Sequence, residues 1–262
     1  MIHSKLHGRI GNNLFSIATG LAQAKKLNTN LTISKNDIAG HYGVLPVDLS
    51  LFNYKFDQID EVDFTKTYNE IDMHYNEINI QDNTILNGIF GSWKYFDHIR
   101  DELCNKYFTP SLDIVKKLNE YDISKNSLGI SVRRGDFLML QHNHCVLSID
   151  YYQESINENF QNNIDSIYVF SDDIPWCKQV FGDSVFYVDD SPAVQLFLMT
   201  KMKHFIMSNS TFAWWGAYLN QNNGIIIAPD PWLGPAYDTS NTNDIYHPSW
   251  IRKTHFRTFQ TI

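Results

Sequence analysis

The sequence predicts an α/β protein whose core is a doubly wound parallel sheet. Three observations carry that reading. Short apolar, β-rich runs alternate with segments of helical spacing from Leu128 to Pro229, the order that builds a parallel sheet through helical crossovers. The first residues form the same unit in small: strand, glycine loop, helix. Arginines, aspartates and small polar residues gather where strands end, the edge at which such folds hold ligands.

Composition narrows the class of function. At 262 residues the chain has room for one large domain or two smaller ones. An apolar fraction of 43% and aromatics of 14% exclude disorder. The formal charge of -8 argues against a nucleic-acid partner, so any bound anion must be gripped locally. Cys104, Cys145 and Cys177 lack CxxC spacing and are odd in number, which points to a reducing compartment. The first residues lack the basic-then-apolar order of a signal peptide, and no apolar run approaches the roughly 20 residues of a membrane span. A soluble, cytoplasmic protein is the expectation.

In chain order, residues 1–13 read as a short strand and a glycine loop, Gly8 to Asn13. Leu14, Ile17, Ala18, Leu21 and Ala22 then recur at helical spacing, with Asn12 or Asn13 as the expected N-cap. Such a loop brings backbone amides and a helix N-terminus to a ligand, although tight strand-to-helix turns use glycine for structure alone. Leu31 to Ser34 is a candidate strand. Residues 57–82 are polar and carry no functional signal. Thr84 to Phe90 reads as a strand, Trp93, Tyr95 and Phe96 as core aromatics or a sugar-facing platform, and Asp97 to Phe108 as a helix. Thr109-Pro110-Ser111 is a connection between domains 1–110 and 111–262.

Ile114 to Leu118 is helical. The run Leu128 to Val132 then delivers Arg133, Arg134, Gly135 and Asp136 at a strand end. Arg presents a planar fork of donors suited to phosphate, while a solvated strand end with paired arginines is the plainer alternative. An adhesion tripeptide at Arg134 to Asp136 has only chance occurrence behind it. A helix from Ser148 to about Phe160 follows. The strand Ser166 to Phe170 ends in Ser171-Asp172-Asp173, a helix runs from Ile174 to Phe181, and the strand Val185 to Val188 ends in Asp189-Asp190. Another helix, Ala193 to Lys203, precedes the strand His204 to Met207. Ser208, Asn209, Ser210 and Thr211 separate that strand from an aromatic helix containing Trp214 and Trp215, and offer hydroxyls, an amide and free backbone N–H groups to an anion; a simple N-cap needs only one of them. Ile225 to Pro229 is a further strand, and Ser249 to Phe259 a closing element.

Taken together, Gly8 to Phe15, Ser131 to Phe137, Phe170 to Cys177 and Ser208 to Gly216 resemble glycosyltransferase family 11, the bacterial-type alpha-1,2-fucosyltransferases. Gly88 to Phe96 and Ile227 to Trp232 extend the likeness, in the family's order, over nearly the whole chain. The resemblance implies a GT-B-like fold, two Rossmann-like domains facing a cleft, with GDP-fucose on the C-terminal one and the last residues packing back on the N-terminal one. It implies that Arg133 grips the donor diphosphate, with Arg134 and Asp136 completing the motif. Asn209, Ser210, Thr211 and Trp215 would line the donor pocket, and Asp172 and Asp173 would position the donor or hold the structure. Asn12 would face the acceptor and the reacting centre, beside Gly8, Arg9 and Gly11. Three positions depart from the family pattern: Ser131 replaces a histidine that contacts or orients the donor, Gly91 stands where glutamine is common, and Gln195 lies where an acid often reads the guanine.

The implied activity is an inverting transfer of L-fucose from GDP-β-L-fucose to the 2-hydroxyl of a galactose-terminated glycan such as an O-antigen or capsule. An Arg and a helix N-terminus can stabilise the departing diphosphate, so neither metal nor cofactor is expected. Asp172-Asp173 lacks the Asp-x-Asp spacing that would hold a divalent ion. The alternatives are a GDP-sugar-binding protein of low turnover and a fucosyltransferase of different linkage. A dinucleotide oxidoreductase is disfavoured because the first loop lacks the third glycine and the acid about 20 residues on. Peripheral membrane association is compatible with the reading; a nucleic-acid partner is not.

Overall fold

The computed structural model describes residues 1–34, 48–59, 64–160, 163–257 and 259. The chain divides into two compact units, residues 1–115 with 241–245, and residues 116–240 with 246–262.

In the first unit β1 (Ile2–Lys5) leads into α1 (Ile10–Lys26), followed by β2 (Leu31–Ser34), β3 (Gln58–Ile59), β4 (Lys66–Asn69) and β5 (Thr84–Asn87). Among the described residues these strands form a parallel sheet in the order β3-β2-β1-β5-β4. The order reverses direction between β1 and β5. Helix α1 begins earlier than expected. Arg9 is its N-cap, without a side-chain cap bond, so neither Asn12 nor Asn13 caps it. The reason is Gly8, whose φ of +71° turns the chain sharply after β1, a conformation that glycine adopts without steric cost. Strand β4 escaped the sequence reading because it is an edge strand with three of its four residues exposed, so no apolar alternation marks it. The expected helix from Asp97 resolves into a 3-10 turn, a short α2 (Arg100–Glu102) and a π turn, Leu103–Tyr107. Helix α3 (Leu112–Leu118) follows.

The second unit contains β6 (Ser127–Val132), α4 (Ile149–Asn159), β7 (Ser166–Ser171), α5 (Ile174–Phe181), β8 (Phe186–Val188) and α6 (Pro192–Met199). It continues through β9 (His204–Ile206), α7 (Thr211–Tyr218), β10 (Ile226–Asp230) and β11 (Ile251–Thr254). Its described strands are all parallel, in the order β11-β10-β9-β6-β7-β8. Here the direction reverses between β6 and β9. All six residues of β6 are buried, as expected of a central strand covered on both faces.

Strand β11 joins the second sheet beside β10, because Ile251–Thr254 can add a ladder to that open edge. The segment that groups with the first unit is Asn241–Ile245. Asp244 anchors it, accepting from Lys94 Nζ at 2.6 Å and Tyr75 N at 2.9 Å. Burial works to raise the Asp244 pKa, but these donors together hold the carboxyl below its ordinary range.

Candidate active site

Strand β6 ends by handing two arginines to its carboxyl edge. Arg133 is held as a fork: Nη1 lies 2.8 Å from Asp172 Oδ2 and Nη2 donates to Asp136 Oδ1 at 2.5 Å. The Phe137 ring lies 5.3 Å from the guanidinium. Asp172, just beyond β7, also accepts the Arg134 backbone N–H at 2.9 Å, so one carboxylate ties the ends of β6 and β7 together. Only glycine fits between them, since a Cβ on Gly135 would stand 2.4 Å from Asp172 Oδ2.

Arg134 takes the opposite course and turns inward. Its Nε donates to Asp173 Oδ2 at 3.0 Å, and its guanidinium lies 4.1 Å from the centre of the Trp176 ring, a cation–π contact. Its Nη1 is buried without a hydrogen-bond partner among the described residues. Asp173 also caps α5, its Oδ1 accepting from Trp176 N at 3.1 Å. The acid pair is thus built into the strand end as the arginines' support.

The next strand end in the sheet lies across the switch between β6 and β9. Ser131 Oγ and Ser208 Oγ are 3.0 Å apart and buried, joining the two strand ends. Asn209 donates Nδ2 to Trp232 O at 2.9 Å, while its buried Oδ1 has no partner among the described residues. Ser210 caps α7 by accepting from Phe212 N, and Thr211 is the first residue of that helix. Trp215 is a correction. It and Trp214 are both 0% exposed and pack edge-to-face, because α7 is apolar all round and lies inside the unit. Trp215 is core and presents no surface to a ligand. Gln195 donates to Asp190 O at 2.8 Å, which keeps its amide at the end of β8.

The first unit has a strand-end cluster of a different kind. Arg9 is exposed, Gly11 is buried, and Asn12 lies in the first turn of α1, its Nδ2 only 2.8 Å from where a Gly8 Cβ would be. Four residues given no role in the sequence reading complete this edge. His7 Nε2 lies 2.8 Å from Asn87 Oδ1, and Asn87 Nδ2 donates to Asn69 Oδ1 at 2.7 Å. Ser16 Oγ pins the next carbonyl, Gly88 O, at 2.8 Å. The signal available in the sequence was a histidine directly before the glycine loop and an asparagine directly before Gly88. Gly91 faces open space, with no atom within 4 Å of a would-be Cβ.

A family model described as Glycosyl transferase family 11 covers residues 6–254. The chain belongs to glycosyl transferase family 11. Among relatives of this family-11 glycosyltransferase, an alpha-1,2-colitosyltransferase of Escherichia coli is 27% identical over 291 residues, covering 96% of this chain and 98% of the relative. A galactoside alpha-(1,2)-fucosyltransferase 1 of Alouatta belzebul is 26% identical over 247 residues, covering 84% of this chain and 66% of the relative. The solved structure of NodZ alpha-1,6-fucosyltransferase with GDP superposes with a TM-score of 0.58 at 13% identity, covering 82% of this chain and 91% of that one. At that identity the likeness speaks to fold, and the family-11 chain is a GT-B-like α/β protein with two parallel sheets.

Proposed function

We propose that the chain transfers L-fucose from GDP-β-L-fucose, with inversion and without a metal ion, to the 2-hydroxyl of a terminal galactose in a glycan. The observation that supports this most is the Arg133 fork, fixed at the end of a central strand. Of its two carboxylate partners Asp136 is the more exposed, 41% against 26% for Asp172. An arriving diphosphate displaces Asp136 and keeps Asp172 as the rear support, so the guanidinium is already oriented when charge develops on the leaving group. Such a preplaced donor stabilises the transition state more than the ground state. Arg134, with its unpartnered Nη1, and the polar residues Asn209, Ser210 and Thr211 at the neighbouring strand end extend the same donor surface.

The alpha-1,2 linkage appears in the names of both the bacterial and the primate relative, which favours the 2-hydroxyl over another linkage. The colitosyltransferase match over nearly the full chain supports a second reading in which colitose is the sugar moved. No helix among the described residues is long and apolar enough to cross a membrane, and we place the reaction in the cytoplasm, with peripheral contact to a membrane-borne glycan compatible with it.

The test is GDP release from GDP-fucose and from GDP-colitose against a panel of terminal galactosides, with linkage analysis of the product. Turnover that survives EDTA and gives a 1,2-linked product is expected. Loss of all activity in EDTA, restored by Mn²⁺, contradicts the Arg133-based mechanism.

A further inference from the structure

We propose that His7 accepts the proton of the attacking hydroxyl, with Asn87 and Asn69 as its positioning residues. The inference rests on the glycosyl-transfer reading above and adds the proton acceptor that the reaction needs. Transfer joins the acceptor oxygen to the anomeric carbon as the carbon–oxygen bond to the diphosphate breaks, its electron pair leaving on GDP. The hydroxyl proton must go to a base, and an amide such as Asn12 is too weak.

His7 stands two residues beyond β1, at the point where the first sheet reverses direction between β1 and β5. The carboxyl edge at such a switch is where α/β sheets seat ligands. The ring is half-buried, and a chain of bonds runs from it through Asn87 to Asn69. Asn87 spends Nδ2 on Asn69 Oδ1, so its Oδ1 faces His7 Nε2 and can only accept. In the neutral ring this arrangement puts the proton on Nε2 and the lone pair on Nδ1, which has no hydrogen-bond partner among the described residues. An asparagine that orients an imidazole in this way is a recurrent arrangement for proton transfer. The backbone beneath is rigid: Asn87 pairs with Lys5 of β1 and with Asn69 of β4, and its carbonyl accepts Glu70 N at 3.0 Å. Two carboxylates that follow β4 already have partners among the described residues. Glu70 Oε2 accepts from Ile89 N at 2.7 Å, and Asp72 pairs with His74 Nδ1 at 2.8 Å.

The experiment compares wild type with His7→Gln and His7→Ala in steady-state transfer. Glutamine can keep the bond to Asn87 but is no base. His7→Gln should lose about 100-fold in kcat, with the KM for the GDP-sugar unchanged, and added imidazole should restore part of the rate of His7→Ala. In wild type, ¹⁵N NMR of the His7 ring should show Nδ1 unprotonated, a state that Asn87→Leu disturbs. A His7→Gln enzyme with wild-type kcat, or a loss that imidazole does not rescue, overturns the assignment while leaving the glycosyl-transfer reading intact. A wild type that transfers no sugar to any galactoside overturns that reading and the assignment with it.

Discussion

The two units repeat one architecture and differ in what each places at its switch point. In the second sheet the carboxyl edge carries two guanidinium groups locked by three carboxylates, Asp136, Asp172 and Asp173. In the first sheet the same edge carries a chain of one imidazole and two amides, His7, Asn87 and Asn69. Under the proposed function, the difference is how one fold would serve two kinds of ligand. A fork of fixed positive charge suits a leaving diphosphate, whereas hydroxyl groups of a sugar call for donors and acceptors without net charge. Both sheets are parallel and each has a switch point, so on that proposal the division of labour lies in a handful of strand-end residues.

That comparison breaks most visibly if Arg133 is removed. Arg133→Ala is expected to lower kcat/KM by about 100- to 1,000-fold, the usual cost of losing one preplaced transition-state donor, with folding retained; unchanged kinetics would make the fork a structural feature only. Asp172→Ala sharpens the distinction between holding and reacting. It leaves the Arg134 N–H and one edge of the Arg133 fork without their acceptor, and denaturant unfolding should show about 1–3 kcal/mol of lost stability. The smallest expected effect is on pH. Burial holds His144, His204 and His255, all in the second unit, below the ordinary imidazole range. The unfolded chain takes up these protons first, so stability is present above the unfolded value and is lost as pH falls below about 6.5. The thermal midpoint should drop by roughly a few degrees between neutral pH and about pH 5.5, and a flat profile would show that these rings are solvated in the folded protein.

Much of the second unit was legible in the sequence because its central strand β6 is buried on both faces and several of its helices open at recognisable caps. Asp173 before α5 and Ser210 before α7 both cap as their residue types suggest. The Arg133 to Asp136 block stood out because two arginines end an apolar strand, although local sequence did not show that Arg134 turns inward onto Trp176. The first unit was harder to read. Strand β4 is polar and exposed, and Gly8 moved the start of α1 ahead of the asparagines that appeared to cap it. Trp215 shows the opposite error, since an aromatic pair beside a cap reads equally well as a platform or as core, and burial alone decides. His7, Asn87 and Asn69 come together only through the order β1-β5-β4, which local sequence does not encode.

Calorimetric titration with GDP tests the assignment of charge most directly. GDP should bind the wild-type chain and His7→Gln with equal affinity and without added metal, while Arg133→Ala should bind about 100-fold more weakly. Equal GDP affinity in wild type and Arg133→Ala would contradict the placement of the donor diphosphate at the end of β6.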